Sequence, residues 1–267
     1  MTSPKAITVS CVTVRDRVEH GQRAVIPEVP VALVYDGGTE AVMMASPGDL
    51  EDFALGFSLN ERIVASPAQL TSLEVVHVDR GIEIRMQLAT DRREAVVGRR
   101  RMRAGPAGCG LCGIESLGEA LPTLPRVEGR LRVSSGALVG AMSSLDEKQV
   151  LNRETGAAHA AALFCPGLGV TDLREDVGRH NALDKLAGGL ARQRRSAKGG
   201  IVLMTSRLSV ELVQKAVMMG AEVLAGISAP TSLAVSEAVR TGLTLVGLVR
   251  RDGLVVYSHA ERIDDAS

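Results

Sequence analysis

Tryptophan is absent from this 267-residue chain, and aromatic residues make up only 2% of it, as two Tyr and three Phe. Recognition that stacks bases or sugars on aromatic side chains has little to work with here. The core has to come from Val, Leu, Ala, Ile and Met, and a hydrophobic share of 45% supplies enough of them. Net charge is lacking too, because 31 Lys and Arg balance 31 Asp and Glu. No global field draws in nucleic acid, and any anion site must be local. Cysteine is scarce: four residues cannot form a disulfide scaffold in a chain this long. No stretch is long and apolar enough to span a bilayer, and Met1-Thr2-Ser3-Pro4-Lys5 has no apolar signal core. The expectation is a soluble cytoplasmic protein whose thiols are reduced, metal-bound or catalytic.

Two of those thiols stand three residues apart in Cys109-Gly110-Leu111-Cys112-Gly113, just after a run with arginines at 99, 100, 101 and 103 and glycines at 98, 105 and 108. Cationic neighbours favour thiolate over thiol and can lower a cysteine pKa from about 8.5 to roughly 3.5–7.5. Glycine lets the backbone bend and keeps bulky side chains away. Four readings follow. The pair can relay sulfur as a persulfide, act as a thioredoxin-like redox pair, supply half a zinc site, or be incidental to a glycine loop. The redox motif normally opens a helix after a strand, and no strong strand precedes it here. A structural zinc wants four ligands, and Cys11 and Cys165 are lone and far apart, although two subunits could pool their pairs. Cys11, in an apolar strand, and Cys165, in Phe164-Cys165-Pro166-Gly167, read as small packed hydrophobes.

The pattern divides the chain into an N-terminal α+β domain over residues 1–108, a flexible Arg/Gly/Cys loop over 98–113, and an α/β domain over 114–267. In the first domain Ile7–Val14 reads as a strand. Residues 30–35 and 41–44 form a hairpin about Asp36-Gly37-Gly38. A helix follows, with Ser46 as N-cap, Pro47 in the first turn and Asp49 completing a capping box. A second hairpin joins 73–78 to 82–88. In the last domain a helix is predicted from Ser135 to Leu151. Strands at 157–164, 201–205, 223–227, 243–250 and 254–257 then alternate with helices at 178–190, 209–220 and 231–240. That alternation indicates a mainly parallel sheet covered on both faces.

Ligands of such sheets bind beyond the carboxyl ends of the strands, where helix N-termini favour anions. Three ends qualify: Ser206 and Arg207 after the second of these strands, Ser228 after the third, and Arg250-Arg251-Asp252-Gly253 after the fourth. Together they predict one pocket for a phosphorylated ligand. His159 and His180 read singly as structural residues and, with Asp176, as a candidate cluster. The zinc deaminase pattern, His-x-Glu followed by Pro-Cys-x-x-Cys, is not met: Ala160-Ala161 follows His159, and the cysteine pair lies upstream.

Several segments are shared with one family. They are Asp49–Leu59, the Cys109–Gly113 motif, Thr155–Ala161, Glu175-Asp176-Val177-Gly178-Arg179-His180-Asn181-Ala182-Leu183-Asp184-Lys185, and Leu243–Gly247. In these the chain, from about Val29 to His259, resembles the FdhD family, the sulfurtransferase accessory proteins of formate dehydrogenase. The resemblance implies a cytidine-deaminase-like C-terminal domain without deaminase chemistry, a smaller N-terminal domain, and a homodimer. It implies that an L-cysteine desulfurase loads sulfur on Cys109 as a persulfide. The sulfur then goes to the molybdenum or tungsten of a bis(molybdopterin guanine dinucleotide) cofactor, which matures formate dehydrogenase. Cys112 is placed to resolve or relay the persulfide. The family's cofactor-binding stretch falls on Leu248-Val249-Arg250-Arg251-Asp252-Gly253, where Arg-Arg-Asp stands in place of the Lys-Pro-Gly of some relatives. GDP is the expected mimic of half the nucleotide. A zinc-binding scaffold without catalysis is the alternative.

Overall fold

The computed structural model describes residues 5–92 and 122–265. Residues 7–25 form an antiparallel hairpin of β1 (Ile7–Val14) and β2 (Val18–Val25). Strand β2, Val-Glu-His-Gly-Gln-Arg-Ala-Val, has no apolar alternation to announce it; it forms by pairing along the whole of β1. The hairpin leaves Ile7, Val9, Val12, Val14, Val18 and Val25 exposed. Cys11 sits half-buried within it rather than in a core.

A four-stranded sheet follows, in the order β4-β3-β6-β5. Its strands are β3 (Val29–Tyr35), β4 (Gly38–Ala45), β5 (Leu70–Val78) and β6 (Gly81–Leu88). Asp36 and Gly37 both take positive φ, 45° and 78°, as a two-residue hairpin turn requires. Helix α1 (Leu50–Asn60) packs Phe53, Ala54 and Phe57 against Val31, Leu33 and Ile84. It starts later than its sequence suggests. Asp49 is the residue before it, at φ 49°, and makes no side-chain cap. Ser46 is drawn away from the helix end to another task, described below.

The second sheet has six strands in the order β12-β11-β10-β9-β7-β8. They are β7 (His159–Cys165), β8 (Gly169–Asp176), β9 (Ile201–Met204), β10 (Val223–Gly226), β11 (Thr244–Arg250) and β12 (Gly253–Ser258). The parallel part is β9, β10 and β11. The other three pairings are antiparallel, so the parallel core is narrower than strand–helix alternation indicated. One face is covered by α5 (Arg179–Arg192), α6 (Val210–Met218) and α7 (Ser232–Thr241). The other is covered by α2 (Ser135–Ser143) and α3 (Leu145–Lys148), whose Leu138, Ala141, Met142 and Leu145 meet Leu203, Ala225 and Val246. The single helix expected over 135–151 is therefore three pieces. It breaks at Ser144 and again at Gln149, whose φ and ψ of −78° and 82° are not helical; α4 (Val150–Thr155) follows.

Edge strand β8 escapes a reading by hydrophobicity because its charges are buried: Asp172, Arg174, Glu175 and Asp176 are all at most 9% exposed. Arg174 and Asp176 face the seam where α1 crosses α5, Asp172 meets Arg195 beyond the end of α5, and Glu175 turns to the opposite face of the strand. At that crossing the backbones touch. A Cβ added to Gly56 would lie 1.8 Å from the Asp184 carbonyl oxygen, and one added to Gly188 would lie 1.9 Å from that of Asp52.

Candidate functional site at the carboxyl edge of the sheet

The Glu175–Lys185 segment carries two different jobs. Most of it closes the seam. Asp176 is fully buried and accepts from the Ser46 amide at 3.0 Å, the Gly178 amide at 2.7 Å and the Asn181 side chain at 2.9 Å. Lys185, also fully buried, meets Asp176 at 2.6 Å and donates to the Ser46 carbonyl at 2.9 Å. The Ser46 hydroxyl accepts from the Val177 amide at 3.1 Å. Ser46 thus spends its three polar groups on the other sheet's unit, which is why it does not cap α1. Arg174 holds Asp52 at 2.7 Å, and Asp184 holds Lys215 at 2.9 Å. Burial pushes the Asp184 carboxyl up against the pull of Lys215. Burial also works to lower Lys215, but Asp184 and Glu61 outweigh it and hold the ammonium above its ordinary range. Glu175 caps α4, accepting from the amides of Leu151 and Asn152 at 2.9 and 2.8 Å. Asp176, a sequence candidate for a site with the two histidines, is consumed in this network.

Arg179, His180 and His159 face elsewhere. Because β7 runs antiparallel to both β8 and β9, the end of β8 lies on the same sheet edge as the ends of β9 and β10. Helices α5, α6 and α7 begin there, so three sets of N-terminal amides gather on one edge. His180 Nε2 stands 3.5 Å from the Ser209 hydroxyl and 3.8 Å from Glu211.

The turns at this edge are tied to one another. Leu208 donates to the Ala229 carbonyl at 3.3 Å and accepts from the Thr231 amide at 2.9 Å, joining the turn after β9 to the turn after β10. Leu248 donates to the Ser228 carbonyl at 3.3 Å, joining β11 to that second turn. A register shift interrupts the β11–β12 pairing between Gly247 and Arg250, and within it Leu248 takes φ 53°. The bulge turns the Arg250–Gly253 hairpin tip outward, and all four of its residues are exposed. Val249 buries its side chain in the core and has only backbone to offer. Ser206 is buried, with its hydroxyl donating to the Arg207 carbonyl at 3.0 Å, while the Arg207 side chain is exposed. With strands ~4.8 Å apart, the ends of β9 and β11, on either side of β10, are about 10 Å apart.

Beside these turns lies a cavity of about 320 Å³, lined by Met142, Gln149, His159, Thr205 and Ile227 among others. Burial, then the nearby Arg179 charge, holds His159 below its ordinary pKa, although its hydrogen bond to the Thr205 backbone pulls the other way. Gln149 is 2% exposed, and its amide nitrogen has no hydrogen-bond partner among the described residues. Sequence reasoning did not single it out. The signal was there: Leu138, Met142 and Leu145 form the buried stripe of these helices, and Gln149 continues it at i+4 as a polar residue. Cys109, Cys112 and the arginines at 99–103 lie outside the described residues. No described helix is long and apolar enough to cross a membrane.

The geometry defines a mixed α/β protein with a two-stranded hairpin, a four-stranded sheet and a six-stranded sheet, in which the ends of four strands and the starts of three helices share one edge. Its fold matches the crystal structure of a candidate formate dehydrogenase accessory protein from Desulfotalea psychrophila, with a TM-score of 0.75 at 23% identity, covering 97% of this chain and 100% of that one. A model of the FdhD/NarQ family matches residues 26–264, and the chain belongs to that family. Similar proteins include those named sulfur carrier protein FdhD from Agrobacterium fabrum, 50% identical over 244 residues (91% of this chain, 90% of the relative), and from Brucella abortus, 50% identical over 246 residues (92% and 91%).

Proposed function

We propose that this protein is a cytoplasmic, homodimeric sulfur carrier that matures formate dehydrogenase. The Cys109 thiolate attacks the terminal sulfur of a persulfide on an L-cysteine desulfurase. The donor's sulfur–sulfur bond breaks, its cysteine leaves as thiolate, and Cys109 holds the new persulfide with no outside oxidant or reductant. The persulfide, anionic at neutral pH, is then offered to the metal of a bis(molybdopterin guanine dinucleotide) substrate. Attack by Cys112 on Cys109 balances delivery as sulfide: the two thiols become a disulfide and the sulfane sulfur takes the two electrons. The observation that carries this reading is the tied set of turns at the sheet edge. Arg207 and Arg251 stand exposed there beside three helix N-termini, a suitable face for the substrate's phosphates. The names of the relatives support the sulfur-carrying role.

The test is to incubate the full chain with a desulfurase and cysteine and to map added sulfur by peptide mass spectrometry. One sulfur atom is expected on the Cys109 peptide. No addition, or addition that persists in Cys109→Ala, overturns the reading. Stoichiometric zinc that is lost in Cys112→Ala points to a scaffold instead.

A further inference from the structure

The edges of the three sheets are guarded unequally. Each outer strand of the two larger sheets, β4, β5, β8 and β12, carries a register shift in its pairing. Such irregularities turn an edge away from pairing with another chain. The hairpin has none, and its pairing runs unbroken from Ile7 opposite Val25 to Val14 opposite Val18. Strand β1, Ile-Thr-Val-Ser-Cys-Val-Thr-Val, also lacks the lysine or proline that commonly blunts an edge, and it holds no charge at all. Strand β2 carries Glu19 and Arg23 and is the strand that packs on α4. No residue of β1 is fully buried, and Ile7, Val12 and Val14 are 51%, 51% and 72% exposed. No third strand joins the hairpin among the described residues. A two-stranded ribbon is at best marginally stable in water, and further strands remedy that. The hairpin precedes residues 26–264, the span that the family model matches, so it adds a surface to the shared fold.

We propose that β1 pairs antiparallel with β1 of a second copy, making a four-stranded sheet in the order β2-β1-β1-β2 across a two-fold axis. The assignment rests on the homodimer proposed above and names the surface where its copies meet. Symmetry narrows the register. In a two-fold interface residue i meets j and j meets i, and side chains directly opposed in a sheet point to the same face. The axis therefore passes a residue that faces its own counterpart. An axis at Cys11 pairs residues 8–14 and an axis at Ser10 pairs residues 7–13, the two longest registers that the strand allows. With Cys11 at the axis, Val9 of one copy meets Thr13 of the other, Ser10 meets Val12, and Thr8 meets Val14. Apolar and hydroxyl side chains face one another and no charges are opposed.

The test combines sedimentation velocity of the full chain with cross-linking. Cys109→Ser, Cys112→Ser and Cys165→Ser together leave Cys11 as the only thiol and change nothing in β1. The two Cys11 Cβ atoms stand about 4.5–5.5 Å apart in one register and about 7–8 Å apart in the other. A short bis-maleimide should therefore join most chains into covalent dimers at micromolar concentration. Adding Ser10→Lys and Val12→Lys supplies the guard that the edge lacks. It should weaken dimerisation at least about tenfold and abolish the cross-link, with the far-ultraviolet circular dichroism unchanged. The cross-link on the unsubstituted strand decides the matter even where the lysine variant fails to fold. A dimer that gives no Cys11 cross-link, or a cross-link that persists in the lysine variant, overturns the assignment and leaves the homodimer standing. A chain that sediments as a monomer throughout overturns the homodimer, and the assignment with it.

Discussion

The seam between α1 and α5 and the carboxyl edge of the six-stranded sheet are built from the same kinds of residue and use them in opposite ways. In the seam, Asp52, Arg174, Asp176, Asp184, Lys185 and Lys215 are buried and their charges are met by one another. At the edge, Arg207, Arg250 and Arg251 are exposed, and two buried donors, the Gln149 amide and the Arg179 Nε, have no partner among the described residues. One segment supplies both regions: Asp176, Asn181, Asp184 and Lys185 turn inward, while Arg179 and His180 open on the edge. A dense polar motif is therefore no guide by itself to a binding site. What separates the two regions is whether the charges are already paired.

Breaking the seam should produce the largest effects. Lys185→Met leaves Asp176 buried and unpaired and is expected to cost about 3–5 kcal/mol in urea unfolding. Lys185→Met combined with Asp176→Asn should recover much of the loss. A single-variant cost below about 1 kcal/mol would mean that the pair is not closing the seam. Gly188→Ala forces a methyl into the Asp52 carbonyl and should cost roughly 1–3 kcal/mol in thermal unfolding. Gly140→Ala, where α2 leaves open space, should stabilise by roughly 0.5–1 kcal/mol. If both glycine variants destabilise alike, backbone contact is not what sets Gly188 apart.

The edge should answer more quietly. His159, lowered first by burial and then by Arg179, should titrate in NMR with a midpoint below 6.5. Its unfolded form binds the proton more readily than the folded form. Its contribution to stability is therefore present above pH 6.5 and is lost as pH falls through 6.5 toward the folded midpoint. Arg179→Met should raise the midpoint part of the way and leave the burial contribution in place.

Much of the sheet core was legible in the chain. Strands β9, β10 and β11 are short apolar runs between helices, and burial on both faces demands that composition. Strand β8 was not legible, because Asp172, Arg174, Glu175 and Asp176 look like a solvated loop until Arg195, Asp52, the first amides of α4 and Ser46 with Lys185 meet them. Nor was the start of α1, since Ser46 is a good cap that bonds across the seam instead. At the site, Ser206, Arg207, Ser228 and the 250–253 turn follow from the rule for strand ends. The bulge at Leu248 and the cavity around Gln149 depend on packing between elements far apart in sequence.

The contrast between paired and open charge is tested most directly by one calorimetric titration with GDP, comparing the natural chain with an Arg207→Ala/Arg251→Ala double variant and following both by thermal unfolding. Affinity should fall at least about tenfold, as expected when charge-assisted phosphate contacts are lost, while stability stays within about 0.5 kcal/mol. Unchanged affinity, or a loss of stability comparable to that of Lys185→Met, would contradict the view that the edge holds its charge for a ligand.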